Sequence, residues 1–282
     1  MDETPVEFVV DPHRPRPGHG RIVGVMILLH SSKAMRVPAP AGGPARATGT
    51  PALVADAVTL MRELRALTPA GTARVMAVSA DLAARTRALH DAWDPAGVSA
   101  AADTFVGDIY SGLRARDLSP ADRDRAQDRL RILSGLYGIL RPDDLICPYR
   151  LEMGYRLPSG TLYAYWGDRI AAQLPAEGGI VDLTAAEYGR TVTRHVAADR
   201  LVTPKFLTVD ARTGEPGFVT VHAKIARGVY ARWLVTARVE SAARLPEFAE
   251  IGYRYDGARS RPAAPVYVCR EFGGKGLSVR LT

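Results

Sequence analysis

The spacing of apolar residues along this chain changes twice. Residues 22–29 form an unbroken apolar, β-branched run, the pattern of a strand buried on both faces, and the run stops at the polar cluster His30-Ser31-Ser32-Lys33. Between about residues 50 and 133 the spacing becomes helical. Leu53, Ala57, Leu60, Met61 and Leu64 follow the start signal Thr50-Pro51, and Thr68-Pro69 repeats that signal. A hydroxyl caps the first free N–H groups of a helix, and proline in the first turn needs no N–H partner. Ser79 precedes Leu82, Leu89 and Trp93 on one side, and Ser119-Pro120 opens a charged helix with Ala126, Leu130 and Leu133 on its apolar side. From residue 180 onward the period shortens. Segments 180–184, 202–209, 217–222, 251–256 and 265–270 alternate or run apolar as strands do, with a turn at 211–214. One helix interrupts them: across 224–238, Ile225, Val229 and Trp233 share one arc, while Lys224, Arg227 and Arg238 share another. The pattern predicts a mixed α/β chain of the α+β kind.

Composition narrows the function classes. The chain has 282 residues, 47% apolar and 24% charged, which suits a folded globule. No apolar run approaches the roughly 18–20 residues needed to span a bilayer. Residues 1–21, with Pro5, Pro12, Pro15, Pro17, Gly18 and Gly20, read as an arm with a short strand at 7–10 and a stiff linker, not as a secretory signal. Residues 37–50 read as a Pro/Gly/Ala-rich loop. Cys147 and Cys269 are too few for a disulfide framework or a four-thiolate zinc site. The expectation is a cytoplasmic monomer without metal or cofactor. A net charge of +7 favours anionic partners, whether nucleic acid, nucleotide or a phosphorylated small molecule. Dinucleotide-loop, P-loop, G-x-S-x-G and H-E-x-x-H patterns are absent from the sequence.

The densest motif runs Leu133-Ser134-Gly135-Leu136-Tyr137-Gly138-Ile139-Leu140-Arg141-Pro142 and continues to Gly154 through Cys147-Pro148-Tyr149-Arg150-Leu151-Glu152-Met153. It resembles the signature of the YaaA peroxide-stress family. Phe105-Val106-Gly107-Asp108-Ile109-Tyr110 resembles that family's F-K-G-D-x-Y, Tyr165-Trp166-Gly167-Asp168 its W-G-D element, and Asp182-Leu183-Thr184-Ala185-Ala186-Glu187-Tyr188 its N-L-A-S-x-E-Y. His222-Ala223-Lys224-Ile225-Ala226-Arg227-Gly228 resembles Y-A-K-K-A-R-G, and the strand ending at Lys33 resembles an opening strand followed by S-P-A-K. The resemblance spans residues 25–272. It implies one compact domain at 22–272 with a mixed sheet, flanking helices and a helix-hairpin-helix-like element, followed by a tail at 273–282. It also implies a positively charged cleft that binds DNA, and a role in peroxide protection tied to free iron.

The residues themselves suggest where such a cleft lies. Lys33, Arg141, Arg150, Lys224 and Arg227 are candidate anion ligands, because a planar guanidinium grips a phosphate or carboxylate with two hydrogen bonds. Gly135 and Gly138 allow a tight hairpin whose N–H groups face a phosphate, or simply a turn packing two helices. Gly228 leaves room for a ligand to approach. Glu152, Asp108, Glu187 and His30 are candidate acid–base groups, and Glu152 serves equally well as an ion-pair partner of Arg150. Ser31, Ser32, Tyr110, Tyr149, Trp166, Asp168, Asp182 and Tyr188 complete the expected cleft. Acids in a basic cleft are unusual for a pure phosphate binder, which keeps open an enzyme acting on a phosphorylated or nucleoside-like small molecule. Cys147 suits packing, and His195 a surface position.

The chain departs from the family pattern inside these motifs. His30-Ser31-Ser32 replaces S-P-A, Val106 a lysine, Asp182 an asparagine and Ala185 a serine; His222 and Ile225 replace a tyrosine and a lysine. Two lysines are lost and two histidines, which ordinarily titrate near neutral pH, are gained.

Overall fold

The computed structural model describes residues 24–36 and 49–277. The arm at 1–21 with its strand at 7–10, most of the loop at 37–50, and the end of the tail lie outside the described residues. The larger sheet is built from β1 (Val25–His30), β2 (Leu130–Ser134), β3 (Gly138–Leu140), β4 (Gly179–Asp182) and β5 (Leu201–Val202) in the order β5-β4-β1-β2-β3. The first four of these run parallel, and β3 returns antiparallel to β2. All six residues of β1 are buried, which is why its sequence is a continuous apolar run. A smaller sheet holds β6 (Lys205–Val209), β7 (Pro216–Gly217), β8 (Tyr253–Tyr255) and β9 (Val266–Cys269) in the order β7-β6-β9-β8. One apolar core continues from Val25 to Phe272. The mixed α/β expectation holds.

Seven helices position the functional segments: α1 (Val54–Ala66), α2 (Pro69–Met76), α3 (Ala80–Asp91), α4 (Asp108–Leu113), α5 (Pro120–Arg129), α6 (Ala186–Thr193) and α7 (Thr220–Thr236). Thr68, Ser79 and Ser119 cap α2, α3 and α5 as their sequence signals predict. α2 and α3 form a helical hairpin joined at residues 77–79, with Ala77 in the left-handed conformation. α1 starts at Val54 without a side-chain cap. Thr50 does not cap it, because the preceding Gly49 is bound through its backbone to Asp143 and Leu145. Among the described residues no helix is long and apolar enough to cross a membrane.

Four segments differ from the sequence pattern, each for a packing reason. Leu130 and Leu133 are not on a helix: α5 ends at Arg129 and the chain passes directly into β2. A short apolar run buried on all sides has no period that separates helix from strand. The strand expected at 202–209 is split between the two sheets at Thr203-Pro204, where proline removes a ladder donor. The strand expected at 217–222 survives only as Pro216–Gly217, since Thr220 already begins α7. Gly228 does not admit a ligand. A Cβ there would collide with the carbonyl of Ile109, and one at Gly112 with that of Ile225, so the two glycines let α4 and α7 cross in backbone contact.

Candidate functional site

The parallel strands β1, β2 and β4 end side by side at His30, Ser134 and Asp182, and in parallel sheets the crevice beyond the carboxyl ends is where ligands sit. A recess of about 10 Å³ opens there, lined by Ser31, Ser32, Lys33, Tyr149, Arg150, Leu151, Glu152 and Tyr188. That is room for one water-sized group and not for the body of a ligand. Lys33 Nζ lies 2.6 Å from Glu152 Oε2, and an Arg150 guanidinium nitrogen lies 3.4 Å from Glu152 Oε1. Tyr155 donates its hydroxyl to the same carboxylate oxygen. Lys33 is mostly exposed while Glu152 and Arg150 are largely buried. The pair is therefore a bridge from solvent to a buried carboxylate, and its own worth to stability is about 1 kcal/mol or less. Arg150 Nε is buried without a protein partner among the described residues. Two cations on one carboxylate leave the recess with one uncompensated positive charge.

Serine and tyrosine hydroxyls form the floor. Ser31 Oγ donates to the Tyr188 hydroxyl at 3.4 Å, and the Tyr149 and Ser134 hydroxyls are 2.6 Å apart. Burial pushes Tyr149 and Tyr155 up to about 12, with Glu152 adding to the shift at Tyr155. Both hydroxyls stay protonated as donors. Tyr110 lies beneath, its hydroxyl donating to the His30 carbonyl at 2.9 Å. Glu187 is adjacent: its carboxylate accepts the Gly154 N–H at 2.7 Å and so fixes the loop that carries Glu152. Asp108 follows Gly107, where a Cβ would sit 3.1 Å from Ser32 Oγ, placing it at the Ser32 edge.

A second group gathers around His30. Its ring stacks on Tyr188 with centroids 4.9 Å apart, and its Nδ1 accepts the Ala185 N–H at 3.3 Å. Burial, then the charges of Arg227 and Lys224, push its pKa down to about 3. The titration near neutral pH that a histidine here suggests does not occur; the ring is neutral and its Nε2 carries the hydrogen. Asp182 Oδ1 accepts the Thr184 N–H at 2.9 Å, and its charge supports that of Arg227. His222, the other gained histidine, lies apart, stacked on Phe272 and bonded to Thr208; burial lowers its pKa also.

The remaining expected residues are elsewhere. Arg141 follows the return strand β3, where Leu140 pairs with Ile132, so it lies toward the amino end of β2, away from Ser134. Gly135 and Gly138 belong to a strand–turn–strand hairpin. A Cβ at Gly135 would strike the Leu151 carbonyl, and one at Gly138 (φ 68°) would sit 2.9 Å from Leu53 and Trp166, so protein fills the space a phosphate would need. Trp166 is core, its indole donating to the Gly135 carbonyl at 3.1 Å, and Asp168 is exposed. Cys147 is buried with its thiol pushed up by burial, and His195 is exposed.

Sequence reasoning missed two residues. Tyr155 stands just beyond the dense motif, three positions after Glu152, which was a usable signal. His90 gave none. It ends α3 some sixty residues from Arg150, yet its Nε2 contacts the Arg150 backbone carbonyl and N–H at 3.1 and 3.4 Å. Burial holds it near 4, hence neutral. Arg65 locks the end of α3 by donating to the carbonyls of His90 and Trp93 at 2.8 and 2.6 Å.

Fold and recess together define a mixed α/β protein with a small recess, lined by Lys33, Arg150 and Glu152, at the carboxyl edge of parallel strands. The sequence profile of the family described as peroxide stress protein YaaA matches residues 25–259, and the chain belongs to that family. A UPF0246 protein of Salinispora tropica is 59% identical over 262 residues, covering 91% of this chain and 98% of the relative. UPF0246 proteins of Burkholderia mallei and Burkholderia vietnamiensis are 41% and 39% identical, covering 79% and 86% of this chain and 90% and 98% of their own.

Proposed function

We propose that this chain is a cytoplasmic anion-binding member of the peroxide-stress family, holding DNA or a nucleotide-like ligand by an anionic group placed in the recess of Lys33 and Arg150. The observation that carries this reading is the convergence of two cations on the single carboxylate of Glu152 at the strand ends. An incoming phosphate oxygen meets Lys33 and Arg150 as charge-assisted donors. The small volume favours a terminal phosphate over a duplex backbone. Titration calorimetry with adenosine monophosphate tests it. Lys33→Ala should weaken binding about tenfold, the loss of one charge-assisted hydrogen bond. Unchanged affinity in both Lys33→Ala and Arg150→Ala sinks the reading. For duplex DNA, the log–log salt slope should fall by about one unit per phosphate-contacting cation removed.

A second reading, an enzyme acting on a phosphorylated or nucleoside-like small molecule in the same recess, is favoured by one feature. Glu152 touches Lys33, Arg150 and the Tyr155 hydroxyl at once, so one carboxylate and one phenol stand together beside two cations, the residue types that acid–base chemistry on an anionic ligand requires. Glu152→Gln keeps the shape and removes the base. It should leave nucleotide affinity within a few-fold and abolish turnover if this reading holds.

A further inference from the structure

The loop at 147–152 carries both Arg150 and Glu152, and the end of α3 holds it from one side. Trp93 Nε1 and the Cys147 N–H both donate to the Tyr137 hydroxyl oxygen, at 2.7 and 3.1 Å, and Cys147 Sγ donates to the Asp94 carbonyl at 3.5 Å. None of these bonds touches Arg150. Its peptide groups meet His90, whose Nε2 lies 3.1 Å from the carbonyl and 3.4 Å from the N–H. One ring nitrogen cannot donate to the first and accept from the second, and the shorter contact puts the hydrogen on Nε2. Nδ1, buried without a partner among the described residues, is then a bare acceptor and not an orphaned N–H. The Arg150 side chain is weakly held by its own ion pair. That pair with Glu152 is long at 3.4 Å, and Arg150 Nε is also buried without a partner among the described residues. A guanidinium held this loosely takes its direction from the backbone it hangs on. The end of α3 is itself anchored: Arg65 of α1 donates to the carbonyls of His90, Asp91 and Trp93 at 2.8, 3.1 and 2.6 Å.

We propose that His90 is a positioning residue of the recess, which sets the direction of the Arg150 guanidinium by donating its Nε2–H to the Arg150 carbonyl. The helical layer of α1 and α3 thereby decides how firmly the recess grips an anionic group. That effect on a ligand rests on the recess reading, whereas the positioning belongs to the ligand-free protein and stands apart from it. Histidine suits the task, because a rigid ring carries a donor from a helix to a peptide group 60 residues away in sequence. The charged groups whose fields reach the ring are Arg65 of α1 and Arg87 and Asp91 of α3. A proton on Nδ1 would add an N–H without an acceptor beside two guanidinium groups. The ring therefore stays neutral and serves as a fixed support, not as a switch near neutral pH.

The test reads Arg150 directly. Its Nε–H resonance is followed in the full chain without ligand, and calorimetry with adenosine monophosphate follows the recess. His90→Leu should shift or broaden the Arg150 signal and weaken nucleotide binding about tenfold, the loss of one well-placed hydrogen bond. His90→Gln, whose amide nitrogen reaches the place of Nε2, should restore the signal and keep affinity within about twofold of the parent. Arg65→Met changes an exposed side chain, so it serves where His90→Leu does not fold. It should move the signal in the same direction and weaken binding about threefold. An Arg150 signal unmoved in His90→Leu, or in Arg65→Met where the former does not fold, overturns the proposal. So does equal behaviour of His90→Leu and His90→Gln, which would mean that the ring only fills space. If the parent itself binds no nucleotide, the recess reading falls, and the Arg150 signal still decides the role of His90.

Discussion

A set of buried or half-buried tyrosines lies against each of the two sheets, and the sets differ in where their hydroxyls go. On the smaller sheet, Tyr230 and Tyr267 bond to each other at 2.9 Å and Tyr267 to the Leu245 carbonyl at 2.6 Å, while Tyr253 meets Thr208 at 3.1 Å. Their rings close around Phe206 and Phe248 with centroids between 4.7 and 5.5 Å. Beside the carboxyl edge of the larger sheet, the hydroxyls of Tyr149, Tyr155 and Tyr188 meet Ser134, Glu152 and Ser31, which stand at or beside a recess with Lys33 and Arg150. Titration behaviour does not separate the two sets. Burial pushes Tyr253 and Tyr267 up to about 12 just as it does Tyr149 and Tyr155. What separates them is closure: one set bonds within the core, and the other meets Ser31, Ser134 and Glu152 at or beside the recess.

Acid should distinguish the regions most strongly. His30 and His90, both at the larger sheet's carboxyl edge, are held neutral down to about 3 and about 4. The unfolded chain takes up those protons near pH 6.5 and the folded one does not, so the unfolded state binds more protons as pH falls. Their contribution is complete above pH 6.5 and declines below it by roughly 1.4 kcal/mol per pH unit for each histidine. Hydrogen exchange at pH 5 should show β1 losing protection before β6 and β9. Simultaneous loss would mean that the two sheets are a single cooperative unit. Phe206→Ala, at the centre of the self-satisfied cluster, should cost about 4 kcal/mol in urea unfolding and leave nucleotide affinity at the recess unchanged below the melting range.

Gly228→Ala should cost on the order of 3 kcal/mol through the collision with the Ile109 carbonyl. If stability held and only ligand affinity fell, Gly228 would face a ligand after all. Tyr155→Phe should have the smallest effect on folding, within about 1 kcal/mol, yet change ligand affinity or its pH profile. The equivalent Tyr267→Phe on the smaller sheet should do the reverse, losing about 1–3 kcal/mol by orphaning the Leu245 carbonyl contact and the Tyr230 hydroxyl while leaving the ligand untouched. Identical behaviour of these two variants would remove the distinction drawn between the sheets.

The sequence by itself determined what depends on neighbours along the chain. Caps at Thr68, Ser79 and Ser119 act within three residues, the described part of the apolar run, 25–29, needs only burial on both faces, and Arg150 and Glu152 share one loop, so all were legible. Tertiary structure alone decided what depends on contacts across large separations. Leu130–Leu133 became strand because β1 offered a parallel edge. Arg141 left the site because the buried hairpin at 135–137 turned the chain back along β2. Gly228 served helix contact because α4, more than a hundred residues earlier, lies against it. His90 reached the Arg150 backbone, and Ala185 fixed the tautomer of His30, through hydrogen bonds spanning 60 and 155 residues. Side-chain identity limits which bonds a residue can make, but which partner is present is set by the packing of the whole chain, and a buried polar atom takes the partner that packing supplies.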